Sequence, residues 1–257
     1  MIFLKNSQIK NISKEILGTK GKGSRTLMLL MILNLLIFSL LPFAANFFVN
    51  KYSGSMGAVI SAAVIAVLLV INLFTYSSFA AGSCAWFNFY GKKNRGAKAV
   101  YWFKPSKSAL SARLYFALFF RKLLWTAAFL FPGTAVLICT VILAMNGGIE
   151  LNLFICAVAG GAAAVILGAV FLFIVLQKYF LAPYIMAANP TLKVREVIKL
   201  SRLASNGVLK RTAAFKLSFL PWFLSCAAVL PAFYVWPYYR QSCAVYAKQI
   251  HIPQDVV

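Results

Sequence analysis

A chain of 257 residues that is 62% hydrophobic and 12% charged, with a mean hydropathy of +0.82, has too little polar surface to cover itself in water. These numbers exclude an ordinary soluble domain and point to an all-α polytopic membrane bundle. The formal charge of +22 would suggest nucleic acid in a soluble chain, but here the position of the 26 basic residues decides. Six lie in residues 1–25, nine between Lys92 and Lys122 and eight between Lys178 and Lys216. Each cluster borders an apolar run, the pattern expected when Lys and Arg stay on the cytoplasmic side. Nucleic acid is therefore not expected as a partner.

Residues 1–25 read as a basic cytoplasmic lead-in. Ile9, Ile12 and Ile16 repeat on one side of a short interfacial helix, opposite Lys10 and Lys14. Gly18, Gly21 and Gly23 then break the pattern, and the run Gly18-Thr-Lys-Gly-Lys-Gly-Ser24 serves as a basic linker, having no strand before it to make a phosphate loop. No signal peptide is expected, because the apolar run that follows is of full span length. A single transmembrane domain over 26–251 follows, with a tail at 252–257. Its first span covers 27–49, with Pro42 as a bend, and a turn over Asn50 to Gly57 leads into a second span at 58–86. Trp86, Phe87, Phe89 and Tyr90 close that span as a headgroup-level aromatic cluster.

From Ala109 to Met145 the apolar stretch is too long for one upright span, and Arg121 and Lys122 interrupt it. A charge at the bilayer centre costs about 2.5–3.5 kcal/mol, so this pair should mark the interface, with the third span at 123–145 kinked at Pro132-Gly133. A turn carrying Glu150 leads to the fourth span, 151–177. There Gly160, Ala164 and Gly168 form a small-residue stripe suited to close helix packing. The segment 191–206 is the organising element: an amphipathic helix with Arg195, Lys199 and Arg202 on one side and Val194, Val197, Leu200 and Ala204 on the other. Asn189 and Pro190 supply its expected start, and Asn206-Gly207 its stop. It is expected to lie flat on the inner leaflet, where each cation near an anionic surface contributes about 1 kcal/mol. The fifth and sixth spans are expected at 214–230 and 232–250, with both termini inside. In the last of them Arg240, beside Tyr238 and Tyr239, would either snorkel to outer headgroups under an aromatic belt, the preferred reading, or form an anion or lipid-headgroup site.

Tyr179-Phe-Leu-Ala-Pro-Tyr-Ile-Met-Ala-Ala-Asn-Pro190, the Ser201-Arg202 step, Phe215-Lys-Leu-Ser-Phe-Leu-Pro-Trp222, Trp236-Pro-Tyr238 and Ala244-Val-Tyr246 together resemble an uncharacterised family of bacterial polytopic membrane proteins, a domain of unknown function. That family is distantly similar to the membrane domain of some glycerophosphodiester phosphodiesterases. The resemblance implies a location in the bacterial cell membrane and transfers no catalytic residue.

The chemical inventory speaks against an enzyme. Glu15, Glu150, Glu196, Asp255 and His251 are scattered over loops and ends, and Glu196 reads as a surface ion pair with Lys199. Cys84, Cys139, Cys156, Cys226 and Cys243 lack metal-ligand spacing, so no cofactor or metal is expected. No acid lies inside an expected span, which disfavours cation-coupled transport. Three readings remain. The first is a non-enzymatic scaffold or regulator that binds anionic lipid, a protein partner or its own copies through a basic face, with Arg195, Lys199, Arg202, Arg121, Lys122 and Arg240 as contacts. The others are a carrier of an anionic or amphiphilic solute, and a subunit serving a lipid hydrolase. The first ranks ahead.

Overall fold

The computed structural model describes residues 4–20, 23–52, 56–89, 92, 94–148, 150–226 and 232–250. The readings placed on Gly21, Tyr90, His251, Asp255 and the tail lie outside them. Among the described residues the chain is helical and has no strand. Helices α1 (Asn6–Lys20), α2 (Ser24–Tyr52), α3 (Gly57–Asn88), α4 (Arg95–Val100), α5 (Pro105–Met145) and α6 (Leu151–Leu176) are followed by α7 (Ala182–Ala188), α8 (Val194–Ser205), α9 (Leu209–Leu217), α10 (Leu220–Ser225) and α11 (Ala232–Gln249). Single 3-10 turns at Tyr101–Phe103 and Gln177–Tyr179 link α4 to α5 and α6 to α7.

Among the described residues four segments are long and apolar enough to cross a membrane: Ser24–Phe47, Val59–Asn88, Pro105–Met145 and Leu151–Ala188. They pack as two hairpins, α2 with α3 and α5 with α6, joined by contacts between α3 and α5. Serines bridge the hairpins: Ser78 Oγ donates to Ser108 Oγ at 2.8 Å and Ser111 Oγ to Ser77 Oγ at 3.2 Å. Interhelical hydroxyl bonds of this kind satisfy polar groups where no water is at hand.

Burial divides every long helix into two parts. Phe43, Val59, Leu124, Phe131, Met145 and Leu151 are widely exposed, whereas Met28, Cys84, Phe87, Leu114 and Leu118 are buried. The exposed apolar half is the sheath a bilayer would cover. The buried half belongs to a cap in which α1, α7, α8, α9 and α11 close over the start of α2, the end of α3 and the start of α5. Among the described residues Lys51 is the one cation at the opposite end of the long helices, so charge asymmetry is built into the fold.

At a rise of 1.5 Å per residue, the 41 residues of α5 extend for about 60 Å, twice the hydrocarbon thickness. The sequence expectation began the third span at 123. Instead one helix runs unbroken through Arg121 and Lys122, its first half inside the cap and its second half in the sheath. The stripe on α6 also needs correction. Gly161, Val165, Gly168 and Leu172 form the face packed on α5, while Gly160 and Ala164 are exposed and a Cβ at Gly160 would meet nothing within 4 Å. Of the expected trio Gly168 lies at the closest approach, against the backbone of Phe129, and the backbone of Ala164 comes close to Gly133.

The expected fifth and sixth spans are not met by a long apolar helix among the described residues. Within 214–226, the part of the expected fifth span that is described, lie the end of α9 and the short helix α10. Helix α11 carries Arg240, Gln241, Ser242 and Lys248, and packs against α1 and α3 inside the cap. Helix α1 clamps this region from outside. Lys10 Nζ donates to Ser218 O at 2.7 Å and sits 4.4 Å from the Phe219 ring centroid, and Arg211 donates to Leu4 O at 2.9 Å.

Candidate functional site: a basic hollow on the cap

Helix α8 builds the site. Its buried face consists of Val197, Ile198, Leu200, Ser201 and Ser205, so Arg195, Lys199 and Arg202 project outward as the periodicity predicts. The boundary at its start differs. Asn189 closes α7 as its C-cap, and the N-cap of α8 is Lys193, whose backbone N–H donates to Glu196 Oε2 at 3.0 Å. Glu196 thus caps its own helix. Gly207, with φ of +82°, supplies the left-handed stop after Asn206. Because α7, α5 and the Gln177–Tyr179 turn cover the inner face of α8, its apolar side meets protein rather than acyl chains. The apolar side that would rest on the inner leaflet in the sequence expectation is thus covered by other parts of the chain.

One hydrogen bond sets the register. Ser201 Oγ donates to Lys178 O at 2.8 Å, pinning α8 to the turn that ends α6 and bringing Lys178 beside Arg202. Lys178 Nζ lies 5.4 Å from the Trp125 ring centroid on α5. Arg121 enters from the same helix. The result is a hollow of about 310 Å³ lined by Arg121, Lys178, Arg195, Lys199 and Arg202, with Ile198, Leu203, Leu209 and Asn206 completing it and no acidic residue in the lining. A larger hollow of about 530 Å³, lined in part by Lys14, Arg25 and Tyr234, contains two cations.

Two unit charges 4 Å apart repel by about 4 kcal/mol at an effective dielectric of 20 near a protein surface. Five cations without a carboxylate therefore create a field that an anion relieves, and Arg and Lys together offer forked and point-charge donors to its oxygens.

The structure joins four of the sequence-predicted contacts, Arg121, Arg195, Lys199 and Arg202, and adds Lys178. Sequence reading missed Lys178 because 23 residues separate it from its hydrogen-bonded neighbour on α8. Lys122 follows Arg121 but is exposed outside the hollow, about 100° away around the helix. Arg240 lies elsewhere in the cap.

The family description "Protein of unknown function (DUF975)" matches residues 1–253. The chain belongs to the DUF975 family. The match takes in the basic lead-in, the long hairpins and the cap, and so reaches well beyond the C-terminal motifs at 179–246 that carry the resemblance in sequence. No curated protein and no solved structure matches the DUF975 chain.

Proposed function

We propose that this DUF975 chain is a non-enzymatic component of the cell membrane that binds anionic lipid headgroups, or a partner presenting the same anionic chemistry, through the hollow of Arg121, Lys178, Arg195, Lys199 and Arg202. The observation that carries this reading is the convergence of five cations from three elements around one opening with no acid among them. The cap places that opening at the basic end of the bundle, beside the level where Arg121 passes into the apolar sheath, and on this reading that end faces the cytoplasm.

The test is direct. Full-length protein in a mild detergent is mixed with phosphatidylglycerol or phosphatidylcholine, and bound lipid is quantified. Each cation contributes about 1 kcal/mol toward an anionic surface, so changing Arg195, Lys199 and Arg202 together to Gln should weaken phosphatidylglycerol binding by roughly 100-fold and leave phosphatidylcholine unchanged. Lys122→Gln, outside the hollow, should bind like the parent. Equal binding of both lipids by the parent, or no loss in the triple variant, would reject the reading.

A further inference from the structure

A second cationic centre lies inside the cap, away from the hollow on α8. Arg240 projects from the middle of α11 with its guanidinium 5.0 Å from the Trp236 ring centroid. Its Nε is buried and has no hydrogen-bond partner. The residue as a whole keeps partial exposure. Cys84 from α3, Tyr115 from α5, Tyr184 from α7 and Cys243 from α11 lie near enough to interact with its charge. Tyr239 lies beside Cys243, and Tyr115 beside Cys84. These neighbours are phenols and thiols, neutral near pH 7. Burial pushes the Cys243 thiol up to about 11, further from ionisation.

Among the described residues no carboxylate is placed to serve it. Glu15 and Glu150 are exposed on α1 and on the turn before α6, Glu196 caps α8, and Asp255 lies outside the described residues. Another cation, Lys216 of α9, is seated 4.5 Å from the Phe180 ring centroid and close enough to feel the charge of Arg240. A lysine in such surroundings can release its proton, whereas an arginine cannot. A partly desolvated guanidinium with no counter-charge among the described residues is unfavourable, and an oxyanion would supply the missing charge.

We propose that Arg240 is the anchor of an internal oxyanion site, its Nε and Nη edge receiving a phosphate-class group with the hydroxyls of Tyr115, Tyr184 and Tyr239 as further donors. A guanidinium edge with two free N–H groups fits two oxygens of one phosphate in parallel. The group is either free orthophosphate or a lipid phosphate reaching into the cap. The site shares no residue with the hollow on α8, so either can fail without the other.

The experiment uses full-length protein in non-ionic detergent with Arg195, Lys199 and Arg202 already changed to Gln, which silences the outer hollow. Sodium phosphate is titrated against sodium gluconate at constant ionic strength while thermal unfolding and tryptophan fluorescence are followed. The expected result is a rise in Tm of about 3–6 °C for each tenfold increase in phosphate above half-saturation. It should be accompanied by a fluorescence change that Trp236→Phe removes. Arg240→Gln should abolish both responses, and Arg240→Lys should retain part of the Tm response. If orthophosphate is silent while micelles doped with phosphatidic acid, but not phosphatidylcholine, produce the Arg240-dependent shift, the oxyanion is a lipid headgroup. The proposal is overturned if Arg240→Gln responds like its parent, or if no phosphate species acts and Arg240→Met simply raises Tm. Should Arg240→Gln fail to fold, Arg240→Lys and the Trp236 signal decide, because an unoccupied guanidinium leaves both insensitive to phosphate.

Discussion

The contact between α5 and α6 allows a sharp test at Gly168. A Cβ at this position would fall well inside contact distance of the carbonyl oxygen of Phe129, where ordinary contacts begin at 3.4 Å. That oxygen belongs to backbone and cannot rotate away. Gly168→Ala therefore forces the two helices apart by roughly 1 Å at their closest point, enough to forfeit a quarter to a half of the dispersion energy of the atoms that face each other there. Overpacking of this kind costs about 1–3 kcal/mol, against about 1 kcal/mol recovered from the higher helix propensity of alanine. A net loss of up to about 2 kcal/mol should appear as a lower midpoint in thermal or SDS-induced unfolding of the purified protein. Gly160→Ala, on the same helix with nothing within 4 Å of the new methyl, should keep the propensity gain and raise the midpoint. If Gly168→Ala is as stable as Gly160→Ala, α6 does not pack through the face of Gly161, Val165 and Gly168, and the interface is misassigned.

Lys216 should make stability pH-dependent. Its pKa is lowered from 10.5 to about 8, chiefly by burial and further by Lys122 and Arg240, against a smaller upward pull from Cys243. The unfolded chain keeps the ordinary value, so between pH 8 and 10.5 it binds more protons than the folded chain, and this lysine makes stability rise with pH across that window. In phosphate-free detergent, Lys216→Met should remove a slope that is below about 1.4 kcal/mol per pH unit; the same slope in both proteins would refute the burial of this amine. At the α9–α11 contact, Tyr246 stacks on Phe215 with ring centroids 4.5 Å apart and shares a 3.1 Å hydrogen bond with Thr212. Thr212 Oγ1 also donates to Val208 O, so Tyr246→Phe strands no partner and should cost only about 0.5–1.5 kcal/mol in unfolding experiments. A much larger loss would mean the hydroxyl has a partner beyond Thr212.

Part of the candidate site could be read from local periodicity. The placement of Val197 and Leu200 opposite Arg195, Lys199 and Arg202 follows from residues within one helix, and 3.6 residues per turn suffices to state it. Gly207 could be read as a stop for the same reason, since the left-handed backbone is a property of one residue. Lys178 could not be found this way, because its membership depends on a hydrogen bond from Ser201 across a chain reversal. The α6 face shifted from Gly160 to Gly161 because a uniformly apolar helix has small residues on several sides, and only the partner helix selects one of them.

By itself the sequence determined an all-helical membrane protein with its cations gathered at one end, since hydropathy and charge act on each segment independently of the others. The tertiary structure alone decided that α11 folds into the cap against α1 and α3. Its Arg240, Gln241 and Ser242 make it a poor span, yet its aromatic side chains find partners on α9 and α10. It also decided that α5 continues as one helix through Arg121 and Lys122. The reason is common to both. Whether a moderately apolar helix is buried by lipid or by protein depends on which surfaces distant parts of the chain bring to it, and no local pattern records that.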